Sequence, residues 1–276
     1  MRWQIIHRTS YQYASPVRES FNEVRLKPVS NRDQTLESFL LKILPPSRLR
    51  HYLDFYSNVS HHFEIPESHK ELLVESTAIV NVHTQPPLDE KLTPYPMAEV
   101  EKVGSSERCF DYLQSSTYVD MGPETWRQAI DATEGQTDLW QASLAIMRHL
   151  YGLLKYEPNS TAVHTHAREV LEQKRGVCQD FAHVMIGMCR SLRIPALYVS
   201  GYLATESASA THAWVEVFVP GHGWRALDPT HNRQTDDTYI KIAVGRDYAD
   251  VAPVSGHYRG TLERVMKVDV KISPVD

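Results

Sequence analysis

Across 276 residues the chain is 42% apolar and 23% charged, proportions that exclude a disordered protein and leave room for two domains of ordinary size. Its 29 basic and 34 acidic residues give a formal charge of -5 and are interleaved without a basic run, which excludes nucleic acid as a partner class. No apolar run nears the roughly 20 residues of a membrane span, and Met1-Arg2-Trp3-Gln4-Ile5-Ile6-His7-Arg8 lacks a signal peptide's apolar segment, so no membrane partner and a cytoplasmic location are expected.

Residues 1–96 read as a first domain. Strand patterns at 3–7, 23–26, 38–43, 51–56, 59–63 and 71–82 are separated by turn signals such as Ala14-Ser15-Pro16, Leu44-Pro45-Pro46 and Ile65-Pro66, which predicts a β-sandwich. Within it, Ser57-Asn58 joins two aromatic-bearing strands as a hairpin. His61 and His62 are neighbours on opposite faces of one strand and read as surface and cross-strand residues. The proline-rich stretch 84–96 is a semi-rigid spacer between domains.

Residues 97–276 read as a second domain. Helical spacing covers 123–133, 137–153, 165–172 and 178–193, and strand patterns follow at 196–203, 212–219, 223–227, 239–244 and 261–272. Helices followed by strands give an α+β order. The small, polar segment 204–210 reads as a mobile loop. Cys109, Cys178 and Cys189 contain no C-x-x-C pair, so reduced thiols are expected, with neither a disulfide framework nor structural zinc.

Cys178 is the candidate nucleophile. It follows the Arg175-Gly176 turn and opens an apolar-periodic run through Phe181, Val184, Met185, Met188, Cys189 and Leu192. A thiol there meets the helix's unpaired N–H groups and positive dipole end, which favour thiolate. On spacing alone, a small buried hydrophobe is the competing reading. A cysteine nucleophile needs a base and an orienting group. His212 starts one strand, Asp228 ends the next, and the turn Pro220-Gly221-His222-Gly223 sets both at one end of the sheet. Counting around that turn puts Asp228 opposite Glu216, about 13 Å from His212 along the strand, so a bulge or strong curl is expected to close the gap.

The runs Gly-Val-Cys-Gln-Asp-Phe-Ala-His at 176–183, Ser-Leu-Arg-Ile-Pro-Ala at 191–196, Val-Ser-Gly-Tyr at 199–202, His-Ala-Trp-Val-Glu-Val at 212–217 and Gly-Trp-Arg-Ala-Leu-Asp-Pro-Thr at 223–230 resemble the bacterial transglutaminase-like superfamily. Asp54-Phe55-Tyr56-Ser57-Asn58 resembles that family's N-terminal β domain, and 244–251 its C-terminal signature. The resemblance implies an N-terminal β-sandwich followed by a papain-like transglutaminase core of helices packed on an antiparallel sheet. It also implies Cys178 as nucleophile, His212 as general base and acid, and Asp228 as orienter. The superfamily includes cross-linkers, peptidases, amidases and members that have lost the triad.

Around the triad, Tyr156, Gln179, Asp180, Arg246, Asp247 and Tyr248 are candidate substrate-binding residues. Tyr156 is also a candidate oxyanion donor, against a core tyrosine, while Asp180 suits the first helical turn of any protein. The segment 245–251 is expected to fold back as a wall of the cleft, with Arg246 or Asp247 reading a charged substrate end; tying the last strand to the core is the equal alternative. His164 and His166 read as loop histidines, His183 as the partner of a backbone group, His222 and His231 as solvated turn residues, and Trp214 and Trp224 as core. No cofactor or metal is expected. The expected activity is a cysteine-dependent amide or peptide hydrolase acting on a peptide or protein amide. Glutamine transamidation and a non-catalytic binding scaffold are the alternatives.

Overall fold

The computed structural model describes residues 1–83, 88, 94–104, 107–204 and 209–275. Most of the proline-rich stretch 84–96 and the centre of the segment 204–210 lie outside the described residues.

The first part is built on one very long strand. β1 (Arg2–Val24) pairs antiparallel with β5 (His69–Val82) through its first half and with β4 (Val59–Ile65) through its second, with a register shift between Gln12 and Val17. β2 (Gln34–Leu44) extends β5 and β3 (Arg50–Leu53) extends β4, giving the order β2-β5-β1-β4-β3. Alternate residues point inward, as the two-residue side-chain period requires, so Tyr11, Tyr13, Val17, Phe63, Ile65, Leu72 and Val74 share one apolar core. The Ser57-Asn58 hairpin forms, with Leu53 opposite Val59.

The second part carries α1 (Val100–Gly104), α2 (Pro123–Ala132), α3 (Leu139–Leu153), β6 (Lys155–Tyr156), α4 (Ala167–Gln173), β7 (Arg175–Gly176) and α5 (Cys178–Ser191). Strands β8 (Ala196–Ala204), β9 (Ser209–Val219), β10 (Gly223–Asp228), β11 (Arg233–Gln234) and β12 (Tyr239–Gly245) then form an antiparallel sheet of order β11-β10-β9-β8-β12. α6 (Tyr248–Val251), β13 (Val254–Arg259) and β14 (Arg264–Pro274) close the chain. α5 is buried from Gln179 to Arg190 and shares the central core with Ala213, Val215 and Val217 of β9. An apolar helix enclosed this way holds its first residue at a fixed place relative to the sheet.

Two features cross the expected division at residue 96. β13 and β14 pair with β1, so residues 254–274 complete the first sheet, and β13 was not expected as a strand at all. Trp3, Ile5, Ala78, Val80 and Val82 of the first sheet also belong to the core that surrounds α5. The seam is specific. The Gln34 amide donates to the Lys241 carbonyl and accepts from its N–H, both at 2.8 Å, and the Asn58 amide does the same to Val244, also at 2.8 Å. Two side-chain amides thus satisfy backbone groups on the outer edge of β12, an edge that would otherwise be open to foreign strands.

Candidate active site

The first turn of α5 is fixed by its neighbours. Asp180 Oδ2 accepts the Val177 N–H at 2.7 Å and the Thr161 hydroxyl at 2.6 Å, which caps the helix start and draws in the preceding loop. A Cβ on Gly176 would lie 2.7 Å from the Asp180 side chain, so this glycine is what lets the carboxylate sit so close. Gly176 also pairs with Tyr156 across the β6–β7 ladder, which brings that tyrosine to the helix start beside half-buried Cys178.

The β9–β10 hairpin presents the other two groups. Gly223 faces Val219 and Leu227 faces Val215, so the turn centres on Gly221 and Asp228 comes level with Trp214, not Glu216. Asp228 is then one diagonal step from His212, within side-chain reach, and neither bulge nor curl is needed in this hairpin. His212 Nε2 stands 2.7 Å from Asp228 Oδ2, and Cys178 is near enough to the same ring to raise its pKa. Because Nε2 serves Asp228, Nδ1 is the nitrogen left to face the thiol.

Asp228 is fully buried yet surrounded by donors. Its Oδ2 also accepts from His231 Nδ1 at 2.8 Å and from the Tyr239 hydroxyl at 2.6 Å, while Oδ1 accepts the N–H groups of Thr230 at 2.8 Å and His231 at 3.2 Å. Burial alone would raise its pKa, but the hydrogen bonds from His212 and His231, the His212 charge and the Tyr239 bond hold it well below the usual carboxylate range. Burial likewise opposes charge on His212, and the bonds to Asp228 and Cys178 with their charges outweigh it, pushing the imidazole up to about 9. Tyr239 and His231 were not expected here. A histidine three residues after Asp228, in a turn where the aspartate caps the Thr230 N–H, was the available signal, and His231 is an Asp228 partner rather than merely solvated.

His212 Nε2, Asp228 Oδ2 and His231 Nδ1 lie within 4.8 Å of one another and are ligand types for a transition metal. Each is already committed to a hydrogen bond with another of the three, so an ion would have to displace both ring protons.

Comparisons with known proteins match the chain to one superfamily. Residues 126–229 match the model of the transglutaminase-like superfamily and residues 3–81 that of the bacterial transglutaminase-like N-terminal region. An uncharacterised protein of Mycobacterium leprae is 33% identical over 280 residues, covering 99% of this chain and 98% of its own length. This chain belongs to the transglutaminase-like superfamily. A solved structure of a candidate cysteine protease from Cytophaga hutchinsonii shares the superfamily fold across 100% of this chain and 91% of its own, with a TM-score of 0.84 at 24% identity. A protein-glutamine gamma-glutamyltransferase of Pseudomonas aeruginosa is 31% identical over 106 residues, 33% of this chain and 16% of its own.

In this superfamily member the remaining candidates divide. Tyr156 is half exposed, and its hydroxyl is pushed up by burial and then by Cys178, which marks it as a neighbour of the sulfur. Tyr198, missed by sequence, is buried, and its hydroxyl is raised by burial and then by Cys178, Tyr248, Asp180 and Asp247 in turn. The Gln179 amide donates to the Val163 carbonyl at 2.9 Å, and Asp180 is the helix clamp described above, so both shape the loop over the helix start. The tail is engaged internally. Arg246 forms a two-pronged pair with Asp250 at 2.9 and 3.0 Å, Asp247 accepts the N–H groups of Tyr118 and Ala249 at 2.8 Å each, and the Tyr248 N–H donates to His183 Nε2 at 3.2 Å. These contacts tie the tail to the core. His183 therefore does meet a backbone N–H, and burial, followed by Arg190 and His166, pulls it down to about 3. His164 Nδ1 bonds the Tyr118 hydroxyl at 2.9 Å.

Arg190 was also missed. Fully buried, it donates to the carbonyls of Ala196, Gln114 and Arg246 at 2.8–3.0 Å, joining the end of α5 to β8 and to the tail.

Proposed function

We propose that this protein is a cysteine-dependent amide and peptide hydrolase working through Cys178, His212 and Asp228. One observation carries the reading: His212 stands 2.7 Å from a buried carboxylate, and Cys178, at the start of the helix packed on the same sheet, is near enough to raise the imidazole. An imidazole raised to about 9 is protonated at neutral pH and holds the proton that the leaving nitrogen needs. In the first step sulfur attacks the amide carbon and a C–S bond forms. The carbonyl oxygen takes the negative charge, facing the Cys178 backbone N–H and, in this reading, the Tyr156 hydroxyl. His212 then gives its proton to the departing nitrogen as the C–N bond breaks, leaving a thioester. Water loses a proton to His212 and attacks in turn, and the acid leaves as the C–S bond breaks.

Transamidation is the second reading, favoured by the stretch of similarity to a glutamyltransferase. It differs only in that an amine replaces water. The partition of acyl groups between water and added primary amine separates the two.

The test of the thiol is its alkylation by iodoacetamide. Cys109 and Cys189 are buried, so selectivity for Cys178 decides little, and the dependence on His212 decides more. Alkylation of Cys178 is expected to be fast and to slow sharply in His212→Gln. Slow, ordinary alkylation in both proteins sinks the enzyme reading and leaves the scaffold.

A further inference from the structure

We propose that His231 and Tyr239 are positioning residues that share Asp228 with His212, and that this sharing sets how strongly His212 holds its proton. The inference rests on the triad reading above.

Three donors converge on one oxygen. Asp228 Oδ2 is 2.7 Å from His212 Nε2, 2.8 Å from His231 Nδ1 and 2.6 Å from the Tyr239 oxygen. With two backbone N–H groups on Oδ1, five donors face a carboxylate that offers about four lone-pair sites. The proton positions follow from chemistry. Arg233 Nε can only donate, and it does so to the Tyr239 oxygen at 2.9 Å, so the single Tyr239 proton is free for Asp228. An ionised carboxylate can only accept, so both histidines present N–H to it. The result is a one-way chain from Arg233 through Tyr239 to Asp228, meeting the bond from His212 at the same oxygen. Arg233 is itself fixed by Asp236 at 3.2 Å and lies 5.0 Å over the Tyr239 ring.

Among the described residues, the charged and titratable groups that face the pair include Cys178 from α5, His212 from β9, His231 from the turn after β10, Arg233 from β11, and Asp236 and Tyr239 around the start of β12. Each donor that His231 or Tyr239 supplies takes negative charge from Oδ2 that would otherwise stabilise the His212 imidazolium. Removing one strengthens the Asp228–His212 bond and makes His212 a poorer acid toward the leaving nitrogen. The substitutions are mild. Phenylalanine matches Tyr239 without the hydroxyl, and the His231 side chain is 45% exposed in a turn.

The experiment is imidazole NMR titration of His212, assigned by the resonance lost in His212→Gln. Tyr239→Phe and His231→Leu are expected to move the His212 titration upward by about half to one pH unit, the scale of one hydrogen bond. His231→Asn, which keeps an N–H, is expected to return it to the wild-type value. The alkaline limb of kcat/KM should move with it. A titration that stays in place or falls in folded Tyr239→Phe and His231→Leu overturns the proposal; if Tyr239→Phe does not fold, His231→Leu decides alone. The NMR readout needs no turnover, so an inert Cys178 would refute the hydrolase reading while the titration still decides this one.

Discussion

Asp228 Oδ2 meets His212 Nε2 at 2.7 Å across a diagonal of the β9–β10 hairpin, and this contact depends on a turn centred on Gly221. Shifting that centre one residue onward, to His222, would move the two side chains two positions further apart and break the line to Cys178.

Removing the orienter should therefore cost activity without unfolding the sheet. Asp228→Asn keeps the shape but presents an amide to a ring that needs an acceptor, so kcat/KM is expected to fall about a thousandfold or more, against a modest change in melting temperature. Near wild-type rates would make Asp228 a strand-end residue only.

Cys178→Ala should fold as the parent does, since alanine suits a helix start, and should show no turnover. Matching circular dichroism and melting curves beside an activity assay check both halves. Turnover above a few per cent would place the nucleophile elsewhere.

The same pair makes a prediction about stability and pH. His212 is raised from 6.5 to about 9, so its contribution is complete below 6.5 and is lost as pH climbs through 9. Asp228 is depressed from 3.8, so its contribution is present above 3.8 and is lost as pH falls through its lower folded value. The pair stabilises most between those limits. Melting temperatures of wild type and His212→Gln measured across pH should differ most in that window and converge toward alkaline pH; a constant difference would contradict the assignment.

Gly176→Ala brings a methyl group to 2.7 Å from Asp180 and should displace the clamp on the first turn of α5. A loss of about 1–3 kcal/mol is expected, with alkylation of Cys178 slowed in the fraction that stays folded. An unchanged melting curve would mean the loop absorbs the methyl freely.

Arg246→Ala tests the tail. Its pair with Asp250 is partly exposed, so only about 0.5 kcal/mol of stability should be lost, and KM should hardly move. A large rise in KM at unchanged kcat would make the tail a wall of the substrate cleft.

How much of this was legible depended on the range of the interactions. The Cys178 helix and the His212 and Asp228 strands follow from local periodicity, and the sequence boundaries lie close to the observed ones. The hairpin register was misread because Gly221 and Gly223 both take positive φ, at 80° and 73°, and either can centre a turn. β13 was hidden because Val254-Ser255-Gly256-His257-Tyr258-Arg259 has no strand pattern of its own and forms by pairing with β1, far away in sequence. Tyr239 and His231 have ordinary local contexts; only the closing of the turn at 229–232 and the placement of β12 bring them to one oxygen. Arg190 sits on an apolar helix where nothing local announces four hydrogen bonds to backbone carbonyls.

The most direct test of the central claim is the covalent intermediate. The protein is mixed with peptide amides bearing a good leaving group, quenched in acid within one turnover, and the Cys178 peptide is weighed by mass spectrometry. The expected result is the mass of one acyl group on Cys178, absent in Cys178→Ala, slow to form in His212→Gln, and discharged by water faster than by added amine. Turnover with no acyl mass on Cys178, or with the acyl group on another residue, would contradict it.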